Sequence, residues 1–240
     1  MPFQVDTLGT LETNLLRYWK MDEGSGTTAT DAKNNIVANL LNGATWGTGK
    51  VGTNCISFDG VNDFVNSTLI TSATTNISMC AWVQVNDLTT AMNLIHHGSS
   101  NGVSVFNGIG LIKRDTSAKL QFHSSGIALS DTGYTFTQIG TWIHIAFTRD
   151  TGSKARAYVN GVQTSLTTMQ GVNTPTAFNI GAMGAGGGYN LNGLIDEVGF
   201  WSKVLNATEI SDLYNSGAGN IYSVASIDEP INHRMMLSEP

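Results

Sequence analysis

Charge is scarce in this sequence. Only 12% of its 240 residues are Asp, Glu, Lys or Arg, about half the usual share. Twelve basic residues stand against 18 acidic ones, a net charge of −6, so no positive patch is large enough to follow a phosphate backbone, which speaks against nucleic acid as a partner. Long apolar runs are also missing. None approaches the roughly 18 residues a membrane span requires, so membrane insertion is not expected. The opening Met-Pro-Phe-Gln-Val-Asp has neither the basic region nor the apolar stretch of a secretory signal. The two cysteines, Cys55 and Cys80, are too few for a cysteine metal site. Nothing in their spacing sets them face to face, so they read as buried thiols rather than a disulfide.

Neutral polarity takes the place of charge: 28 Thr, 22 Asn and 27 Gly, with Pro held to 4. Thr favours strands, and Asn and Gly favour tight turns, a mixture that predicts many short strands and no long helices. The first clear strand is Leu15 to Met21. Others are expected at Cys55 to Phe58, Ile77 to Val85, Met92 to His97, Val103 to Lys113, Leu120 to His123, Thr141 to Arg149, Lys154 to Asn160, Phe178 to Ala182 and Leu194 to Trp201. Alternation puts Ile77, Met79, Ala81, Val83 and Val85 on one face, and Ile143, Ile145 and Phe147 on another. Trp142 and Ile145 are both expected to be buried, on opposite faces of their strand. Two stacked sheets bury such faces most simply, which makes the fold class all-β, a two-sheet antiparallel sandwich with one short C-terminal helix. That helix is expected over Asn206 to Ser216, with Asn206 as N-cap, Glu209 completing a capping box and Gly217 as left-handed C-cap. Residues 1–14 read as an N-terminal arm, 15–217 as the domain and 218–240 as a tail.

Four stretches, in order, carry a resemblance: Tyr18-Trp19-Lys20-Met21-Asp22-Glu23-Gly24-Ser25-Gly26; Ser57-Phe58-Asp59-Gly60-Val61-Asn62-Asp63-Phe64-Val65; Trp142 with Tyr158-Val159-Asn160-Gly161; and Gly193-Leu194-Ile195-Asp196-Glu197-Val198 leading to the helix. Together they resemble the laminin-G-like, concanavalin A-like lectin/glucanase jelly-roll domains of bacterial surface proteins, secreted enzymes and phage particles. The residues suit such a fold on their own terms. Asn160-Gly161 is a type I′ hairpin signal, because both positions accept the positive φ that matches strand twist, and Asp59-Gly60 favours a turn after the aromatic Phe58. The sequence departs from the family at Asp31-Ala32-Lys33-Asn34-Asn35, where many members are richer in glycine.

Catalysis is not expected. Glycosidases need two carboxylates facing one bond, and Asp196 and Glu197, as strand neighbours, should point to opposite sides of the sheet. No strained Gly-x-Ser-x-Gly turn is present, and His96-His97 lacks an evident third metal ligand. The resemblance implies that the first and last strands pair antiparallel, which would bring Asp22 and Glu23 toward Asp196, with Asp31 as a further donor. Such oxygens suit a structural calcium ion, and they suit equally well the capping of turns through backbone amides. The resemblance further implies a non-catalytic binding or adhesion module for carbohydrate or another surface ligand. Sugar recognition needs exposed rings for C–H contacts and amides for hydroxyls, and the loop candidates are Trp46, Phe106, Asn107, Tyr189, Asn190 and Asn192, with glycines at 184–188 lending adaptability. Of the five tryptophans, Trp46 has glycine-flanked loop surroundings, while Trp19, Trp82, Trp142 and Trp201 fall in strands. The alternative is a structural or decoration protein of a phage virion. Either would sit on a virion surface or outside the cell, with other virion proteins as partners through its termini.

Overall fold

The computed structural model describes residues 8–98, 108–113, 116–124, 127–169, 174–183, 189–220 and 222. Helix α1 (Leu8–Glu12) precedes strands β1 (Leu15–Trp19), β2 (Thr28–Thr30), β3 (Val37–Leu41), β4 (Thr45–Thr48), β5 (Asn54–Asp59), β6 (Phe64–Ser67), β7 (Ile77–Val85) and β8 (Met92–Gly98). Then come β9 (Gly108–Lys113), β10 (Lys119–Ser124), β11 (Ile127–Thr135), β12 (Trp142–Arg149), β13 (Lys154–Val159), β14 (Val162–Thr168), β15 (Ala177–Ile180) and β16 (Asn192–Trp201), and helix α2 (Ala207–Tyr214).

All pairings are antiparallel and form two eight-stranded sheets. The first runs β14-β13-β12-β7-β16-β5-β4, with β1 also on β16; the second runs β11-β10-β9-β8-β15-β6-β3-β2. This is the two-sheet sandwich the alternating pattern implied, in the jelly-roll form the resemblance implied. Ile77, Met79, Ala81, Val83 and Val85 of β7 and Ile143, Ile145 and Phe147 of β12 all face the space between the sheets. Ile145 is buried as expected, whereas Trp142 at the strand's start is only half-buried. Aromatic rings tie the layers together: Trp19 of the first sheet stacks on Phe178 of the second at 5.5 Å between centroids. Phe200, from the first sheet, meets Phe178 edge-on at 5.8 Å.

A second apolar layer lies on the outer face of the first sheet. Tyr18, Cys80, Ala146, Tyr158 and Trp201 are covered there by Leu11 of α1, by Ile210 and Leu213 of α2, and by Tyr222. The Trp201 indole N–H donates to the Leu11 carbonyl at 2.7 Å. Leu11 of α1 thus packs ahead of the first strand and helps cover the indole.

Local signals explain the turns. Asn160 (φ 50°) and Gly161 (φ 78°) join β13 to β14 as the paired left-handed residues of a type I′ turn. The capping box of α2 forms: the Asn206 side chain accepts from the Glu209 amide at 3.0 Å, and the Glu209 carboxylate accepts from the Asn206 amide at 2.9 Å. The far end differs from expectation. Asn215, at φ 46°, takes the left-handed C-cap and its amide donates to the Ser211 carbonyl, so α2 stops before Gly217. Asn tolerates that conformation well enough to compete with a glycine two residues on.

Candidate functional site

Antiparallel pairing gathers the C-terminal ends of β5, β7 and β11 with the N-terminal ends of β8, β12 and β16 at one end of the sandwich. The connections there are stitched to one another. The Asn86 amide donates to the Asn192 carbonyl at 2.9 Å, the Asn93 amide to the Tyr189 carbonyl at 2.7 Å, and the Gly140 amide to the Val85 carbonyl at 2.9 Å. The Asn190 side-chain amide donates to the Val61 carbonyl at 2.5 Å. In this cluster an open groove of about 590 Å³ is lined by Asn86, Asp87, Leu88, Thr137, Gln138 and Ile139. Ile139 is 59% exposed and Tyr189 39% exposed. A groove that sets apolar surface beside side-chain amides matches the two faces of a sugar, C–H groups on one side and hydroxyls on the other.

The structure thus brings three of the sequence-predicted ligand residues together, Tyr189, Asn190 and Asn192, at this end. Asn190 and Asn192 serve mainly to hold neighbouring loops. Trp46 is not in a loop: it lies in β4, at the edge of the first sheet, where its ring packs on the inter-sheet core and its indole N–H donates to the Gly26 carbonyl at 2.8 Å. The glycines flanking it lead into and out of a short edge strand, a pattern local sequence does not distinguish from a loop. Phe106, Asn107 and the glycines at 184–188 lie outside the described residues. Asn86, Gln138 and Ile139 escaped the sequence reading. The signal they offered was an isoleucine between Gln138 and Gly140 in a polar turn.

The acids expected around a cation are engaged otherwise. Asp22 accepts from the amides of Thr53 (2.8 Å) and Asn54 (3.0 Å). Glu23 accepts from the Thr30 amide at 2.7 Å. Asp31, fully buried, accepts from the amides of Tyr18 (2.6 Å), Lys33 (3.1 Å) and Asn34 (2.8 Å). Asp196 accepts from the amides of Lys50 (2.8 Å), Val51 (2.9 Å) and Glu197 (2.9 Å). The first and last strands pair as anticipated, Trp19 opposite Val198, and the Asp22 charge bears on both Asp196 and Glu197. Each of these acids thus accepts at least one backbone amide, as turn capping requires, and among the described residues no three His, Cys, Asp or Glu side chains are arranged to hold a metal. The donor set fits turn capping better than calcium. Thermal unfolding in excess calcium and in chelator is accordingly expected to give the same midpoint. A calcium-dependent rise that Asp196→Asn removes would place an ion here after all.

Asp196 and Glu197 do not point to opposite sides. Glu197 adopts φ 51°, and the register of β16 against β7 slips between Asp196 and Gly199. One extra residue in a β-bulge breaks the alternation. As a result Ile195 and Val198 both enter the inter-sheet core, and the two acids between them share the outer side. Burial pushes Asp196 up to about 7 against the pull of its amide donors. Burial likewise pushes Glu197, 2% exposed, well above the usual carboxylate range; the Tyr18 hydroxyl opposes this, and the Asp196 and Asp22 charges reinforce it.

A family model described as the concanavalin A-like lectin/glucanases superfamily matches residues 59–211. No curated protein sequence matches the chain. Among solved structures, the Trypanosoma rangeli sialidase in complex with 2,3-difluorosialic acid is similar with a TM-score of 0.69 and 19% identity, over 87% of this chain and 34% of that one. Domain 4 of AbnA, a GH43 extracellular arabinanase from Geobacillus stearothermophilus, in complex with arabinotriose, is similar with a TM-score of 0.67 and 20% identity, over 83% of this chain and 97% of that one. The chain thus spans about a third of the sialidase and nearly all of the arabinanase domain. At these identities the likeness is one of fold.

Proposed function

Because the chain belongs to the concanavalin A-like lectin/glucanase superfamily, we propose that it is a non-catalytic carbohydrate-binding module whose ligand lies at the loop end between Tyr189 and Ile139. The observation that carries this reading is the groove itself, where exposed Ile139 and the half-buried Leu88 sit beside the amides of Asn86 and Gln138. The arabinotriose complex of a domain with the same fold is in keeping with it. The adjacent carboxylates Asp196 and Glu197 do not argue for hydrolysis, since both are buried and a glycosidic bond cannot be flanked by groups it cannot reach.

A glycan array probed with the purified chain tests the reading. Binding is expected, with no release of reducing sugar from the bound glycan. Tyr189→Ala or Ile139→Ser should weaken it by about tenfold, the worth of one lost packing contact, while Val162→Thr on the edge strand β14, outside the groove lining, should leave it unchanged. Turnover, or binding indifferent to both of these substitutions, would reject the assignment.

A further inference from the structure

We infer that the groove takes an electrically neutral oligosaccharide and discriminates against glycans bearing a carboxylate or sulfate. This rests on the carbohydrate-binding reading above and narrows it. Four connections at this end, residues 59–63, 86–91, 136–141 and 189–192, contain three aspartates, Asp59, Asp63 and Asp87, and no lysine or arginine. An anionic sugar is normally held by a guanidinium fork, an ammonium or a helix N-terminus, and among the described residues none of these lines the groove. The lysines on nearby strands are committed elsewhere. Lys113 at the end of β9 is fully buried, and Lys119 of β10 is paired with Asp131 at 2.5 Å.

The negative charge on the groove's lip is held in place. One Asp87 oxygen accepts from the Thr89 amide and hydroxyl, both at 2.7 Å. The other accepts from the Thr90 amide at 3.0 Å and from its hydroxyl. Burial alone would raise this acid, but the donors of Thr90 and Thr89 outweigh it and hold Asp87 well below the usual carboxylate range. It is therefore an anion at neutral pH. What faces the ligand besides this charge is neutral: the amides of Asn86 and Gln138, the Thr137 hydroxyl, and the side chains of Leu88 and Ile139. Hydroxyl groups satisfy such amides, whereas a ligand anion meets like charge with no cation among the described lining residues to offset it, a selection by exclusion.

The test pairs each neutral glycan that binds on the array with the same core carrying a terminal sialic acid or a sulfate, and measures both affinities by calorimetry on the full chain. At low salt the charged form is expected to bind about tenfold more weakly, as repulsion between a few charges about 10 Å apart in water implies. The gap should shrink in 0.5 M salt, where the Debye length falls to a few ångströms. Gln138→Lys should narrow it by several fold. Equal or tighter binding of the charged form would overturn this inference and leave carbohydrate binding standing. A gap indifferent to both salt and Gln138→Lys would overturn charge as its cause. Failure of every glycan to bind would overturn the carbohydrate reading and this inference with it.

Discussion

Phe178→Ala should lower the stability of the protein by about 3 to 5 kcal/mol. In a domain of this size that is a fall of roughly 10 °C in the unfolding midpoint. The ring sits where the two sheets meet, stacked on Trp19 at 5.5 Å, edge-on to Phe200 at 5.8 Å, and within 6.4 Å of the His97 ring. Truncation removes the buried surface and leaves a cavity that rings from β1 and β16 cannot collapse into without shifting two strands of the opposite sheet. Phe178→Leu keeps most of the volume and should cost less than half as much. Thermal or urea unfolding of the three proteins measures this, and equal midpoints for the parent and Phe178→Ala would mean that the ring does not bridge the layers.

Glu197→Gln should raise stability at pH 8 by about 1 to 3 kcal/mol, the usual penalty of a buried polar group deprived of solvent, and should have little effect near pH 4. The sign follows from linkage. The folded chain holds the Glu197 proton to higher pH than the unfolded chain does, so stability is fully present below the unfolded value of about 4.3 and falls as pH rises through the folded one. Glutamine does not ionise, and the difference between variant and parent must therefore grow across that window. Buried histidines slope the other way: burial pushes His97 down to about 4 and His144 to about 3, so they favour the fold less as pH drops below about 6.5. They are common to both proteins and cancel in the difference. Unfolding midpoints from pH 4 to 8 decide the matter. A variant less stable than the parent at pH 8 would show that the carboxylate is held by a partner such as a cation.

Much of the architecture was legible because its causes are local. Alternation in β7 and β12 named the inward faces, since side chains in a strand repeat every two residues. Asn160-Gly161 named a hairpin because few residue pairs accept positive φ twice. Asn206 with Glu209 named the start of α2, because both halves of a capping box lie within four residues. The proposed binding surface was less legible. Tyr189, Asn190 and Asn192 were picked for their chemistry and do meet at one end, but Asn86, Gln138 and Ile139 meet them only through strand pairing among β5, β7, β12 and β16, which brings together residues more than a hundred positions apart.

By itself, then, the sequence determined the fold class, the faces of its long strands and the cap of its helix, all set by contacts within a few residues. Three matters were decided by tertiary structure alone. Trp46 became a packed edge-strand residue because β5 offered it a partner, Ile56, and the core offered its ring a wall. Asp196 and Glu197 came to lie on the same side because one surplus residue in β16 is taken up as a bulge just where the strand's neighbour changes from β5 to β1. Asp22, Glu23 and Asp31 became caps because amides from Thr53, Thr30 and Tyr18 reached them in the folded chain. In each case the deciding group lies on another strand, and a carboxylate or an indole takes whichever partner the fold delivers.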